Sequence, residues 1–265
     1  MDYDFKIFKY PRTQHLEGSR LGPGDEDLSQ VPFAEVFGRY LVIEEKIDGA
    51  NSAVSFDGEG ELLLQSRGHY LTGGHRERHY NPLKRWANLH RDELFDVLDC
   101  RYVMYGEWMY AKHTVFYDAL PDYFMEFDIY DREKREFLST ARRRELTSRL
   151  PFVHSVPVVG EGVYRTKKAI LSLLGHSLYI TDNHLDVLRA HAEREGLDVE
   201  RVLRETDPST TSEGLYIKVE EDGVVKERLK FVRAEFLQCV FASDSHWQQR
   251  PILPNLLADR EEILP

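Results

Sequence analysis

The chain has 265 residues, 42% hydrophobic and 12% aromatic, which suits one large or two small folded domains and excludes a repeat, a coiled coil or a low-complexity segment. A formal net charge of −11 argues against a protein that coats nucleic acid indiscriminately, because that task needs an excess of cations over the phosphate array. The first six residues lack the apolar core of a signal peptide, and no stretch approaches the ~20 apolar residues of a membrane span. Cys100 and Cys239 lack metal-ligand spacing, so the expected setting is a reducing cytoplasm without a membrane.

Residues 1–40 read as a lead-in with a Gly/Pro-rich loop at 18–32 and no motif. Residues 40–56, rich in β-branched and apolar side chains, run into the turn Asp57-Gly58-Glu59-Gly60 and predict a strand and hairpin that returns over 61–66. Helical spacing of Leu83, Trp86, Ala87, Leu94 and Leu98, with Pro82 near the start, predicts a helix over 81–98. Two aromatic-rich strands follow at 102–108 and 123–130. The chain then changes character: helices are expected at 141–149, 166–174 and 185–194, separated by loops that include the apolar 151–159. Strands resume at 215–219 and 228–232 around the acidic turn 220–223, before a helix at 234–241 and an irregular end. Antiparallel strands with helices grouped between them make an α+β domain.

Lys46 is the residue that bears most on function. It follows Leu41-Val42-Ile43 and precedes Asp48-Gly49 and Ala53-Val54, so a lysine is set into an apolar strand. An unpaired ammonium there costs several kcal/mol unless it neutralises or meets carboxylates. Lysines held in that way serve as nucleophiles, since the free amine is the attacking form. Residues 67–91 carry six Lys/Arg and four His against the one acid Glu77, with Tyr70, Tyr80 and Trp86 interleaved. That pattern describes either a solvated loop leading into a helix or a phosphate-facing ridge on an acidic body.

Five boxes occur in order: Glu45-Lys46-Ile47-Asp48-Gly49, Ser66-Arg67-Gly68, Tyr105-Gly106-Glu107-Trp108, Glu213-Gly214-Leu215-Tyr216-Ile217-Lys218 and Arg228-Leu229-Lys230. Each alone is weak, but the ordered set resembles the covalent nucleotidyltransferase superfamily of ATP-dependent DNA and RNA ligases and mRNA capping enzymes. Phe124-Met125-Glu126-Phe127-Asp128-Ile129-Tyr130 is most similar to the RNA-ligase-2-like branch, and the resemblance covers residues 40–233. It implies an ATP-grasp-like core of two antiparallel sheets flanked by helices, with the nucleotide between them. In this reading residues 1–233 form the adenylylation domain with a helical insert at 140–207. Residues 234–265 form a tail too short for an OB barrel.

The resemblance further implies an ATP-dependent RNA ligase in which Lys46 attacks the α-phosphorus of ATP. The AMP then passes to an RNA 5′-phosphate, and a 3′-hydroxyl displaces it. Magnesium or manganese falls to Glu213 and Glu107. Glu45 reads the adenine edge, Asp48 and Asn51 are polar positions after the nucleophile, and Arg67 and Glu107 hold sugar or phosphate. Phe127 stacks on the base, with Phe124 or Tyr130 in its place if the register shifts. Lys218 and Lys230 stand near the α-phosphate, and Lys230 helps keep the Lys46 amine neutral by like-charge proximity. The family usually has Lys-x-Lys in the last box, so Arg228 departs from it; Lys226 compensates only in a shifted register. The implied partner is RNA with 5′-phosphate and 3′-hydroxyl ends, a nicked duplex included, delivered by an end-processing protein or gripped by the insert. Rival readings are a DNA ligase without an OB domain, an enzyme that transfers AMP without sealing, and a non-catalytic RNA-end-binding subunit. His113 reads as a surface loop or an RNA contact, and Arg142-Arg143-Arg144 as a solvated helix face.

Overall fold

The computed structural model describes residues 6–22, 24–25, 27–242 and 250–259. Its strands are β1 (Gln14–Leu16), β2 (Gln30–Val31), β3 (Tyr40–Lys46), β4 (Ala50–Phe56), β5 (Leu62–Ser66) and β6 (Tyr102–Trp108). They continue as β7 (Phe124–Asp131), β8 (Glu136–Phe137), β9 (His154–Ser155), β10 (Val158–Val163), β11 (Gly214–Glu221) and β12 (Val224–Val232). The helices are α1 (Asn81–Leu89), α2 (Arg91–Leu98), α3 (Thr140–Thr147), α4 (Lys167–Leu171), α5 (His184–Arg194), α6 (Val199–Arg204) and α7 (Ala234–Ala242). Among the described residues no helix is long and apolar enough to cross a membrane.

Two six-stranded sheets result, one ordered β10-β3-β11-β12-β1-β2 and the other β5-β4-β6-β7-β8 with β9 also on β7. The α+β architecture expected from the sequence is present. The long ladders are antiparallel, but β1 runs parallel to both β12 and β2, and β9 parallel to β7, so both sheets are mixed.

Alternation of side chains assigns the faces. In the first sheet Leu41, Ile43, Leu215, Ile217 and Leu229 pack outward with Leu16, Val36 and Ile170. Tyr216 lies opposite both Glu44 and Lys230, and Lys218 opposite Arg228, so a charged face is turned inward. In the second sheet Val54, Phe56, Met104, Phe124 and Ile129 pack under Leu83, Ala87, Leu94 and Leu98 of α1 and α2. Its inner face carries Ala53, Tyr105, Met125 and Phe127.

The single hairpin ladder expected over 40–56 is instead a crossing. β3 belongs to one sheet and β4 to the other, and Ile47-Asp48-Gly49 carries the chain between them. A Cβ at Gly49 would lie 2.7 Å from Met109 Sδ and 2.9 Å from Glu107 Cγ, so the crossing closes only on glycine. The helix expected over 81–98 is broken at His90, whose φ of −104° and ψ of 19° leave the helical region. The 140–207 segment is not merely helical: β10 pairs antiparallel with β3, and β9 joins β7. β10 thereby occupies the β3 edge that would otherwise present unpaired amides.

The tail is part of the same body where it is described. Asn255 donates from Nδ2 to Met109 O at 2.6 Å and accepts from Tyr117 N at 3.0 Å, and Leu253 is buried. Residues 243–249 and 260–265 of the expected irregular end lie outside the described residues.

Candidate active site

Lys46 ends β3 opposite Gly214 of β11, with its side chain turned into the space between the sheets. Its Nζ donates to Glu213 Oε2 at 2.8 Å. A Cβ at Gly214 would sit 1.9 Å from Phe231 O, so only glycine lets β11 close on β12 directly after Glu213. Burial pushes the Lys46 ammonium towards neutrality, but Glu213, Glu107 and Asp48 outweigh it and hold the group above its ordinary value. Burial pushes Glu107 and Glu213 up to about 7 each, against the opposing pull of Lys46. The expectation that Lys230 keeps Lys46 neutral is therefore corrected. Their repulsion is real, and Lys230 is itself lowered, chiefly by burial, but the carboxylates around Lys46 prevail.

The space around Lys46 is a cleft between the two sheets that is partly open to solvent. Glu44, Lys46, Tyr216 and Lys230 line it from the first sheet, and Asn51, Glu107 and Phe127 from the second, with Arg67 just beyond β5. Phe127, 9% exposed, is held edge-on by Tyr10 at 5.1 Å and 85°. Its two rivals lie elsewhere: Phe124 packs on Trp86 at 5.0 Å on the outer face, and Tyr130 stacks on Phe8 at 4.1 Å. Asn51 Oδ1 is buried in the cleft wall with no hydrogen-bond partner among the described residues.

Other expected site residues are engaged differently. Glu45 borders the cleft, but its carboxylate accepts from Ser177 Oγ at 2.5 Å and Leu178 N at 3.4 Å; burial raises it. Lys218 is fully buried behind the cleft between Glu44 Oε2 at 2.8 Å and Asp128 Oδ1 at 3.1 Å, and donates to the Phe127 carbonyl. Arg228 donates from Nε to Asp128 Oδ2 at 3.0 Å and lies over the Phe137 ring at 3.7 Å. Neither of these cations lines the cleft; they brace its floor. Arg143, expected on a solvated face, is 2% exposed and bridges Glu44 and Glu126.

Asp48 likewise does not line the cleft. Its Oδ2 accepts from Thr114 N at 2.8 Å and Val115 N at 3.0 Å, and Oδ1 faces His113 Nδ1 at 3.7 Å. Burial raises the carboxyl, but His113 and the two amides outweigh it and hold it below its ordinary value. His113, expected on the surface, is 4% exposed. Asp48 thus ties the crossing to the loop after β6. Asp48→Ala is expected to lose on the order of 1–3 kcal/mol, because two amides and an imidazole lose a charged acceptor. An unchanged urea midpoint would show that this tie is idle.

The lead-in also supplies site residues that its sequence does not signal. Tyr10, Arg12, Thr13 and Asp25 line the cleft, and Asp25 Oδ2 meets Lys230 Nζ at 2.5 Å and His15 Nε2 at 3.1 Å. No local periodicity marks them, since β1 and β2 span three and two residues. The basic segment after β5 forms one wall of a larger cleft of about 1000 Å³, which shares Asn51, Arg67 and Glu107 with the first.

A family model for RNA ligase matches residues 39–232. Among solved structures, a lysine-to-methionine variant of Naegleria gruberi RNA ligase with AMP and Mn aligns at a TM-score of 0.52 and 19% identity. A glutamate-to-alanine variant of the same ligase, also with AMP and Mn, aligns at 0.51 and 18%. Each alignment covers 88% of this chain and 64% of the other, so the chain spans less than two thirds of those ligases and the likeness is one of fold. No curated protein matches the chain. With the family match running from β3 through β12 and enclosing Lys46, Glu107, Glu213 and Lys230, the chain belongs to the RNA ligase family.

Proposed function

We propose that this chain is an ATP-dependent RNA ligase that joins 5′-phosphate and 3′-hydroxyl ends through a covalent AMP on Lys46. The observation that carries the reading is the company Lys46 keeps in one cleft. A carboxylate stands 2.8 Å from its Nζ, with an aromatic face at Phe127, an unpartnered amide oxygen at Asn51 and a further ammonium at Lys230. These are a nucleophile with a proton acceptor, a base platform and phosphate-facing charge. The Naegleria ligase, which shares the fold, is described with AMP and Mn.

In the first step Lys46 loses a proton, for which Glu213 is the acceptor within hydrogen-bond reach. The amine forms an N–P bond to the α-phosphorus as the P–O bond to pyrophosphate breaks. The AMP then moves to an RNA 5′-phosphate, and a 3′-hydroxyl displaces it to seal the strand. Each step gathers negative charge at phosphorus, which Lys230 and Arg67 stand in the cleft to offset. Glu213 and Glu107 suit a magnesium or manganese ion that completes its shell with phosphate and water. The described residues hold no group of three or more His, Cys, Asp or Glu that would make an all-protein cage. When bound, such an ion offsets phosphate charge.

Purified protein, freed of bound AMP, is incubated with magnesium, α-labelled ATP or GTP, and 5′-phosphorylated RNA or DNA strands. The expected result is protein label from ATP that survives denaturing electrophoresis, together with a lengthened RNA. Absence of label sinks the reading, and sealing of DNA alone makes the chain a DNA ligase.

The reaction should also follow pH. Glu213 and Glu107 act as carboxylates, and burial has raised both to about 7. They protonate below that value and ionise above it, so label formation is expected to rise from about pH 6 to about pH 8 with a midpoint near 7. A flat profile over that range would remove both groups from control of the step.

A further inference from the structure

We propose that the larger cleft beside the Lys46 site is a docking site for a terminal phosphate monoester, the 5′-phosphate of the RNA strand that receives AMP, with Lys112 and Arg250 as its ligands. The proposal rests on the ligase reading and assigns residues outside every box that suggested it.

Lys112 Nζ donates to the carbonyls of His113 at 3.0 Å and Glu205 at 3.2 Å. Arg250 Nη1 donates to the same two carbonyls, at 3.2 and 3.5 Å. Arg250 Nε stands 3.4 Å from Glu205 Oε2, while Arg201 Nε takes Glu205 Oε1 at 3.1 Å. Three cations from different parts of the chain therefore converge on Glu205, and two of them share a pair of neutral carbonyl acceptors. Like charges packed in this way repel, and a dianion arriving between them relieves the repulsion. Burial, reinforced by Arg250, pushes Lys112 down to about 7, which is the same strain expressed on one ammonium.

Location supplies the rest. Lys112 and Arg250 line the larger cleft, which is continuous with the nucleotide cleft through Asn51, Arg67 and Glu107. At about 1000 Å³ it offers far more room than the roughly 130 Å³ around Lys46, as a polymer end requires. Of the carboxylates lining it, Glu77 is paired with Lys84 at 2.6 Å. In AMP transfer an oxygen of the 5′-phosphate forms a P–O bond to the α-phosphorus and the P–N bond to Lys46 breaks. The Lys46 nitrogen leaves carrying a proton taken from the Glu213 carboxyl. That exchange requires the incoming phosphate to be held next to the Lys46 cleft.

The β- and γ-phosphates of ATP offer similar chemistry, so the test separates the two sources. Lys112→Ala, Arg250→Ala and Lys112→Arg proteins, each checked by thermal melting, are compared with the wild type in three measurements. These are label formation from α-labelled ATP without RNA, AMP transfer from labelled protein to 5′-phosphorylated RNA, and binding of 5′-phosphate against 5′-hydroxyl RNA without ATP. The alanine variants should keep label formation within about twofold but lose about 100-fold in AMP transfer at limiting RNA, the scale of a lost charged hydrogen bond. They should also lose the wild-type preference for 5′-phosphate RNA, and Lys112→Arg should restore part of it. Unchanged transfer, or a wild type with no 5′-phosphate preference, overturns the proposal. Equal loss of labelling and transfer overturns it too, by assigning the cleft to the phosphates of ATP. Because the binding comparison uses no ATP, it tests this site even if the wild type forms no label and the ligase reading falls.

Discussion

Lys46→Ala protein is expected to form no covalent label from α-labelled ATP, yet still to seal RNA supplied with a preformed 5′-adenylylated end. The N–P bond needs an amine at the mouth of the cleft, and no other described lysine has its Nζ on Glu213. The drop in labelling should be at least about a thousandfold, the scale met when a covalent nucleophile is removed. Sealing of the preformed adenylylate requires no bond to Lys46, so it depends on the remaining charges of the cleft. Alanine, however, also strips Glu213 and Glu107 of the cation that opposes their burial. Lys46→Arg separates the two effects: the guanidinium keeps the positive charge beside Glu213 and does not deprotonate to attack. It should bind nucleotide and remain unlabelled. Label on the arginine protein would move the nucleophile elsewhere, and loss of sealing in both variants would give Lys46 a part in the last step as well.

Part of this site is legible in the amino-acid sequence alone, for physical reasons that differ by residue. Lys46, Glu107 and Glu213 stand at or near strand ends, Glu107 and Glu213 directly beside Gly106 and Gly214 and Lys46 three residues before Gly49, all glycines whose Cβ would meet close neighbours, so the boxes are local and contiguous. Asn51 follows from strand alternation once the inner face is known, whereas Phe127 is the unpaired residue of a register shift in β7, between Glu126 opposite Gly106 and Asp128 opposite Tyr105. The same alternation misleads at Lys218 and Arg228. It correctly puts them on the inward face, but it does not say how far along the strand the cleft reaches. Lys230 pairs with Tyr216 at the cleft, whereas Lys218 pairs with Arg228 one step further along the same face and is sealed in. The crossing at 47–49 is hidden because the apolar pattern of β3 resumes in β4 as if one ladder continued. Asp25, Lys112 and Arg250 carry no periodic or motif signal at all. They reach the two clefts through long-range packing, Arg250 through a tail anchored by Asn255.

Arg143→Leu is expected to cost about 3–5 kcal/mol of stability, the range for removing one partner from a buried ionic cluster. Arg143 donates from Nη2 to Glu44 Oε1 at 2.5 Å in the first sheet and from Nη1 to Glu126 Oε1 at 2.8 Å in the second. It therefore pins the two sheets across the floor of the Lys46 cleft, which Glu44 also lines. Around it, Glu44, Glu126 and Asp128 face Arg143, Lys218 and Arg228, so three negative charges meet three positive ones. Burial alone would raise Asp128, but Lys218, Arg228 and Arg143 outweigh it and hold the carboxyl at about 2. Because that value is depressed, its contribution is present above about 3.8 and lost as pH falls through about 2. Leucine matches much of the arginine stem but leaves two buried carboxylates sharing one fewer cation. Arg143→Lys keeps the charge without the fork that reaches both sheets, and should recover only part of the loss. In urea unfolding at pH 7 the leucine variant's midpoint should fall accordingly. A loss below about 1 kcal/mol at pH 7 would mean that the sheets are held without this clamp.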